Sequence, residues 1–115
     1  MGKEIESISK KRNHTIISKI DKDFTEGDLK LADIAINFSI PSSAVSNITM
    51  ALNLNIPVVS GTTGWLKNFK KIEQISKKNN VGFLYSSNFS IGVNIFFKLN
   101  KYLTELMKEY ENYSI

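Results

Sequence analysis

The sequence contains no cysteine and only one histidine, His14, among its 115 residues. Without cysteine the chain cannot build a disulfide framework, a thiolate zinc site or a cysteine nucleophile. A single imidazole also excludes a histidine-rich metal site, and a Ser-His-Asp triad would have to use His14. We therefore predict no metal site, and any catalysis has to use other groups.

Long apolar runs and concentrated charge are lacking as well. No stretch approaches the ~18 residues of a membrane-spanning helix, and the first residues lack the charged and apolar regions of a secretory signal. The net charge is +4, but the basic residues stand in short groups at 10–12, 70–71 and 77–78. Such groups are more typical of solvated helix faces than of a nucleic-acid groove, and no aromatic platform accompanies them. We expect a cytoplasmic protein without a membrane or nucleic-acid partner.

Alternating strand and helix patterns fill one predicted domain, residues 1–115. Apolar or β-branched runs predict strands at residues 14–20, 31–38, 56–60 and 81–85. Apolar residues at helical spacing predict helices at residues 2–11, 42–54, 66–78 and 93–110. The first two strand runs lack a helical period, so we expect interior parallel strands that are covered on both faces. This order predicts an α/β fold with an open, doubly wound parallel sheet.

One glycine and one acid have the spacing of a dinucleotide fingerprint. In that fingerprint a glycine opens the first helix, and an acid about 20 residues later binds the adenosine ribose. Gly2 opens the first predicted helix, and Asp21 ends the next strand 19 residues on. Taken alone, Asp21 is more often a turn residue. The chain also opens inside a helix, with no strand before it, so we interpret Met1 as an internal methionine.

Two loops lead from a predicted strand to a predicted helix, which places them at the carboxyl edge of a parallel sheet, where ligands bind. They are Ser60-Gly61-Thr62-Thr63-Gly64-Trp65 and Ser86-Ser87-Asn88-Phe89-Ser90-Ile91-Gly92-Val93-Asn94. Their glycines let a flat ring approach the backbone, and their hydroxyls and amides can hydrogen-bond it. A glycine turn followed by a threonine cap explains the first loop equally well, and the alternative for the second loop is Ser90 or Asn94 as a helix cap with Asn88 in a turn. A third strand end, residues 37–41, lies on the same edge.

The two loops resemble the 4-hydroxy-tetrahydrodipicolinate reductase family, also called dihydrodipicolinate reductases. The similar motifs are Gly61-Thr62-Thr63-Gly64-Trp65 and, about 25 residues later, Asn88-Phe89-Ser90-Ile91-Gly92-Val93-Asn94. Phe38-Ser39-Ile40-Pro41 resembles the strand end that precedes them in the family, and Met1-Gly2-Lys3 resembles the end of its glycine loop. The resemblance spans nearly the whole chain.

The resemblance implies an NAD(P)H-dependent reductase of diaminopimelate and lysine biosynthesis, which transfers hydride to the cyclic product of aspartate semialdehyde and pyruvate. It implies Asp21 as the residue that binds the adenosine ribose. The residues that it implies near the nicotinamide are Phe38, Ser39, Gly61, Thr62, Thr63, Ser86, Ser87, Asn88 and Phe89. An acid at position 21 favours NADH over NADPH, and Lys19 or Lys22 partly offsets this preference, so both cofactors stay open. The family commonly forms homotetramers.

Parts of the family pattern are missing from the 115 residues. These are the first strand with two fingerprint glycines, the His-His-x-x-K element that supplies the proton donor, a glycine-threonine substrate loop and most of the C-terminal substrate domain. We interpret His14 as an exposed residue at a strand start, on the edge opposite the cofactor loops. The expectation is therefore a fragment of a reductase, truncated at both ends. We expect a partial dinucleotide-binding domain with an incomplete Rossmann-like sheet that lacks its first strand, with no catalytic residue and no turnover by the chain alone.

The missing strand also bears on stability and on the alternatives. Two open interior strand edges predict a chain that is unstable, aggregates or pairs these edges with another chain. The alternatives are a stand-alone nucleotide-binding module and an interaction protein that uses residues 93–110 and the open strand edges.

Overall fold

The computed structural model describes residues 1–110 and residue 112. The predicted domain runs to residue 115, so residues 111 and 113–115 of it lie outside the described ones. The chain divides into two compact units, Met1–Tyr85 and Ser86–Ile115.

Four α-helices, α1 to α4 in chain order, occupy Gly2–Lys11, Pro41–Asn53, Phe69–Asn79 and Ile91–Met107. Short 3-10 helices occupy Leu29–Leu31 and Leu66–Asn68. All four predicted helices are confirmed, with ends that differ by up to three residues. Pro41 begins α2 because its fixed φ suits the first helical position, where the missing N–H leaves no hydrogen bond unmade.

Five strands of three residues each, β1 to β5, occupy Ser18–Ile20, Thr25–Gly27, Ala35–Asn37, Val58–Ser60 and Phe83–Tyr85. The last three form a parallel sheet in the order β3-β4-β5. Its register places Asn37 opposite Ser60 and Ser60 opposite Tyr85, so the three strands end side by side. The predicted α/β class and its Rossmann-like parallel sheet are confirmed.

The core of the first unit lies on one face of this sheet. Helix α2 packs against β3, β4 and α3. Its buried side chains recur at helical spacing: Ala44, Ile48, Ala51 and Leu52. Five further side chains complete the buried core: Ile56, Val58, Trp65, Ile72 and Val81.

The opposite face of the sheet is open. Ile36 and Leu84 lie on either side of Val59 in the ladder, and they are 50% and 56% exposed. The expectation that residues 31–38 form a strand covered on both faces is therefore wrong, although β3 is parallel to β4 as predicted. The reason is that α2 and α3 pack together on the other side of the sheet.

Residues 14–20 do not form an interior parallel strand, so that prediction is wrong. Only Ser18–Ile20 is a strand, and it pairs antiparallel with β2, a strand that the sequence analysis missed. A β-branched run indicates an extended chain but not its pairing partner. Gly27, with a φ of +77°, allows the hairpin, because a Cβ there would lie 1.9 Å from the carbonyl oxygen of Ile17. His14 is exposed, as expected, and precedes the strand.

The second unit contains α4 and the residues before it. Ser90 caps this helix by accepting a hydrogen bond from the N–H of Val93 at 3.4 Å. Helix α4 has no buried residue, and its exposed apolar side chains include Phe96 and Leu99, which are 63% and 61% exposed. Among the described residues, no helix is both long and apolar enough to cross a membrane.

Candidate functional site

Residues 60–65, here called the threonine loop, leave β4 at the edge where the three parallel strands end. The N–H of Gly61 donates to the carbonyl of Asn37 at 3.0 Å, which extends the β3-β4 ladder one residue into the loop. Loops at this edge of an α/β sheet bind ligands because the strand ends leave a crevice there. The structure thus places the threonine loop where the sequence predicted it.

The side chain of Asn37 is the centre of a hydrogen-bond network formed by Asn37, Ser39, Ser60 and Thr62, here called the Asn37 network. Its Oδ1 accepts from the hydroxyl of Ser60 at 3.1 Å and from that of Thr62 at 2.9 Å. Its Nδ2 donates to Oγ of Ser39 at 3.2 Å, and the N–H of Ser39 donates to Oγ1 of Thr62 at 2.8 Å. The network ties the end of β3 to the threonine loop.

Thr62 is fixed by hydrogen bonds of both its side chain and its backbone carbonyl. It is only 4% exposed, and its carbonyl accepts from Nε1 of Trp65 at 2.5 Å. Trp65 is itself 2% exposed and meets the ring of Tyr85 edge-on at 5.4 Å. Thr63, by contrast, is exposed. Of the two threonines, Thr63 therefore presents its side chain to solvent while Thr62 anchors the loop.

The ring of Phe38 lies against the backbone of Gly61. A Cβ built at Gly61 would come 2.1 Å from Cε1 and 2.4 Å from Cζ of that ring. Only glycine accepts so close an approach without displacing the ring. Gly61 thus leaves room for the ring of Phe38, which lies beside the loop backbone.

Residues 86–94, here called the asparagine loop, are organised by short-range hydrogen bonds. The hydroxyl of Ser86 donates to the carbonyl of Asn88 at 2.8 Å, and Oδ1 of Asn88 accepts from the N–H of Ser90 at 2.7 Å. Nδ2 of Asn94 donates to the carbonyls of Asn88 and Ser90 at 3.0 and 2.8 Å. The turn role of Asn88 and the cap role of Ser90 are confirmed. Ser87 is exposed, and Phe89 is 44% exposed.

Asp21 lies in the turn of the β1-β2 hairpin. Its N–H donates to the carbonyl of Phe24 at 2.9 Å, and its Oδ1 accepts from the N–H of Lys22 at 2.7 Å. The turn role that its sequence context suggested is therefore present. Its carboxylate is also exposed, so the turn leaves it accessible to a ligand.

Lys19, two residues before Asp21, is held between two carboxylates. Its Nζ lies 3.3 Å from Oε1 of Glu6 on α1 and 3.2 Å from Oε2 of Glu26 on β2. Hydrogen bonds to Glu26 first, and then to Glu6, raise the pKa of Lys19 above its ordinary value. Hydrogen bonds from Lys10 first, and then from Lys19, lower the pKa of Glu6. The charge of Lys19 is thus balanced within the protein.

The structure brings four of the ten predicted cofactor residues into direct contact with one another: Phe38, Ser39, Gly61 and Thr62. Asp21 stands on the separate hairpin sheet, and Ser86 and Asn88 bond to each other in the second unit. Asn37 begins the third strand end that was named from the sequence, but sequence reasoning assigned it no role in the site. Its signal was a polar residue that ends an apolar strand next to Ser60, which ends the neighbouring strand. Among the described residues, no group of three His, Cys, Asp or Glu side chains is placed to hold a metal ion.

A family model described as "Dihydrodipicolinate reductase, N-terminus" matches residues 1–89. The chain is 50% identical to the 4-hydroxy-tetrahydrodipicolinate reductase of Christiangramia forsetii over its whole length, which is 49% of that protein. It is also 39% identical to the enzyme of the same name from Methanocaldococcus jannaschii, across 69% of this chain and 29% of that one. The chain thus spans about half the length of the first relative and less of the second.

Proposed function

The chain belongs to the dihydrodipicolinate reductase family, and on that premise we propose that it binds the nicotinamide cofactor of a 4-hydroxy-tetrahydrodipicolinate reductase. The observation that carries the proposal is the threonine loop, anchored by Thr62 at the carboxyl edge of a parallel sheet. The reaction expected of the complete enzyme is reduction of the cyclic imine or enamine precursor in diaminopimelate and lysine biosynthesis. A cytoplasmic location and the homotetramer implied by the resemblance stay predictions.

The threonine loop has the chemistry that a nicotinamide needs. Thr63 and Gly64 are exposed, so a hydroxyl and backbone groups are accessible to a carboxamide. Phe38 and Ser39 stand beside the loop, joined to it by the ring contact at Gly61 and the hydrogen bond to Thr62. We assign the same role to Ser86, Ser87, Asn88 and Phe89 in the asparagine loop. When bound, the reduced cofactor supplies the hydride, and the residues of this chain bind and orient its ring.

We propose that these 115 residues position the cofactor without providing the proton that the reduction needs. The threonine and asparagine loops contain no Asp, Glu, Lys or His. His14, the single histidine, is exposed, and its backbone N–H donates to the carbonyl of Ser9 in α1. In the family a His-His-x-x-K element supplies the proton donor, and this sequence, with one histidine, does not contain that element. We expect no substrate-dependent oxidation of NADH by the chain alone above a buffer blank.

Cofactor choice is proposed to favour NADH. The exposed carboxylate of Asp21 would accept hydrogen bonds from a ribose 2′-hydroxyl and repel a 2′-phosphate. Of the two lysines that could offset this repulsion, Lys19 is bound to Glu6 and Glu26. That leaves Lys22 as the lysine next to Asp21 without an ion pair among the described residues. Both cofactors are expected to bind, with NADH the tighter.

Equilibrium binding tests the proposal. The 115-residue chain is titrated with NADH and with NADPH while the fluorescence of Trp65, the single tryptophan, is followed. We expect a saturable change for both cofactors and a lower dissociation constant for NADH. The double variant Glu6→Gln, Glu26→Gln frees Lys19, and should narrow the preference for NADH by about two- to fivefold, the effect of one added cation near the phosphate.

The control is Glu73→Gln, which removes a carboxylate that pairs with Lys77 on α3 at 2.8 Å. This variant should leave the NADH to NADPH ratio unchanged. A linear, non-saturating response to both cofactors would contradict the binding proposal. If the ratio of the NADH and NADPH dissociation constants is unchanged in the double variant, only the explanation of cofactor choice is contradicted.

A further inference from the structure

We propose that Asn37 is the positioning residue of the cofactor site, and this inference rests on the proposed function. Through its amide it holds Ser39 and Thr62 in one arrangement, and thereby holds the threonine loop against the end of β3. Asn37 itself is half-buried beneath these residues. Its role is to fix the groups that meet the cofactor.

An amide satisfies all three side-chain hydrogen bonds of Asn37, and the two that hold Ser60 and Thr62 need only its oxygen. Oδ1 accepts two hydroxyl protons, from Ser60 and Thr62, while Nδ2 donates to Oγ of Ser39. A carboxylate would keep the acceptor and lose the donor, and a hydrocarbon would lose both. Ser60 is fully buried, so water cannot easily replace the partner of its hydroxyl.

The network also uses the polar atoms of Thr62. Its hydroxyl donates a hydrogen bond to Oδ1 of Asn37, its Oγ1 accepts one from the N–H of Ser39, and its carbonyl accepts one from Nε1 of Trp65. Because the hydroxyl and carbonyl of Thr62 are already hydrogen-bonded and the residue is buried, we expect the exposed Thr63 and the loop backbone to contact the nicotinamide. Asn37 thus gives the two threonines different roles: Thr62 anchors the loop through its bond to Asn37, and Thr63 stays accessible to the cofactor.

Main-chain bonding joins the same two elements. The N–H of Gly61 donates to the carbonyl of Asn37 at 3.0 Å, so Asn37 contacts the loop through its backbone as well as its side chain. The backbone bond fixes where the loop begins. The side chain, through Thr62, fixes the direction that the loop then takes, and Nε1 of Trp65 reports on it because it is bonded to the carbonyl of Thr62.

The test compares Asn37→Leu, Asn37→Asp and a matched control, Ser76→Ala. Leucine has a similar size but no polar atom, aspartate keeps the acceptor, and Ser76 donates a hydrogen bond to the carbonyl of Val81 at 2.6 Å in another part of the same unit. Each variant of the 115-residue chain is measured for thermal stability, for acrylamide quenching of Trp65 and for NADH affinity. Expected for Asn37→Leu are a more accessible Trp65 and NADH binding weakened about tenfold.

Rescue and control separate positioning from general stability. Asn37→Asp should restore most of the NADH affinity and the protection of Trp65, because both hydroxyls keep their acceptor. Ser76→Ala should lower the melting temperature while both other readouts stay as in the wild type. The inference is overturned if Asn37→Leu leaves Trp65 and NADH affinity unchanged, or if Ser76→Ala alters them as much as Asn37→Leu does.

If Asn37→Leu does not fold, Thr62→Val removes the hydrogen bond between Thr62 and Asn37 from the loop side, and its Trp65 and NADH readouts decide in the same way. If the wild-type chain binds neither NADH nor NADPH, the proposed function fails. The quenching of Trp65 then decides by itself whether Asn37 positions the loop.

Discussion

The threonine loop and the asparagine loop follow neighbouring strands, β4 and β5, yet different interactions hold them. The threonine loop is bonded to Asn37 and Ser39, more than 20 positions away along the chain. In the asparagine loop, the hydrogen bonds made by the side chains of Ser86, Asn88, Ser90 and Asn94 join residues at most six positions apart. The threonine loop is therefore bonded to residues distant in the sequence, whereas these four side chains of the asparagine loop bond to near neighbours.

The strand ends beneath the loops show the same contrast. Ser60 ends β4, and its buried hydroxyl donates to Asn37. Tyr85 lies opposite Ser60 at the end of β5, and its buried hydroxyl has no hydrogen-bond partner among the described residues. A polar atom at a strand end thus stabilises this fold only where a neighbouring strand supplies a partner, because an unpaired buried hydroxyl costs about 1–3 kcal/mol.

The largest difference between the loops is expected at their glycines. Gly61→Ala would force a methyl group into the ring of Phe38, and should lower the free energy of unfolding by about 1–3 kcal/mol. Gly92→Ala meets nothing nearer than Oγ of Ser90 at 3.9 Å, and in α4 should be neutral or raise helix stability by up to about 1 kcal/mol. Urea unfolding measures both. Equal losses in the two variants would contradict the contrast between the loops.

The two threonines give the next largest effect. Thr62→Val leaves the N–H of Ser39 without its acceptor, and should lower the free energy of unfolding by about 1–3 kcal/mol. Thr63→Val changes an exposed side chain and should stay within about 0.5 kcal/mol of the wild type. Thermal unfolding of the pair, with Thr62→Ser as the conservative control, measures this difference. A loss in Thr63→Val as large as that in Thr62→Val would show that the anchoring role is misassigned.

Opposite signs are expected for the hydroxyls of Ser60 and Tyr85. Ser60→Ala removes a donor to Asn37 and should cost about 1 kcal/mol. Tyr85→Phe removes an unpaired buried hydroxyl, keeps the contact with Trp65, and should raise stability by about 1 kcal/mol. The unfolding free energies of the two variants provide the measurement. Destabilisation by Tyr85→Phe would mean that its hydroxyl has a partner, such as bound water.

The smallest effect is expected from pH, because neither loop contains Asp, Glu, Lys or His. The pKa of Glu6 is lower in the folded chain than in the unfolded chain, where it is about 4.3. The contribution of Glu6 to stability is therefore present above the unfolded pKa and is lost as the pH falls through the folded pKa. Acid should therefore loosen the contact between α1 and the β1-β2 hairpin. Amide hydrogen exchange at pH 3 and pH 6, compared at each pH with the exchange of an unfolded chain, should show weaker protection around Lys19 at pH 3. The protection of Gly61 should be the same at both values. In Glu6→Gln the change around Lys19 should be reduced.

Local patterns were sufficient where neighbouring residues decide the structure. Apolar residues at helical spacing, such as Ile48 and Leu52, located α2, and β-branched or aromatic runs located β3, β4 and β5. The cap at Ser90 and the turn at Asn88 were among the alternatives read from the sequence, because their hydrogen bonds reach only two or three residues along the chain.

Pairing partners were not predictable in the same way. The run at residues 14–20 predicted a strand, but its β-branched residues fit either a parallel or an antiparallel neighbour. The turn that joins β1 to β2 lacks an Asn-Gly or Asp-Gly pair, so the hairpin gave no short-range signal. The open face at Ile36 and Leu84 was missed for a related reason, since an apolar residue does not reveal what covers it.

The sequence by itself determined the helices, the three parallel strands, the local turns of the asparagine loop and the motifs that resemble the reductase family. Only the tertiary structure decided that Asn37 anchors Thr62 and that Lys19 is held by Glu6 and Glu26. The physical reason is the range of the interactions. Turns and amphipathic helices depend on residues a few positions apart, whereas the hydrogen bond between Asn37 and Thr62 spans 25 positions and forms only when β3 and β4 pair.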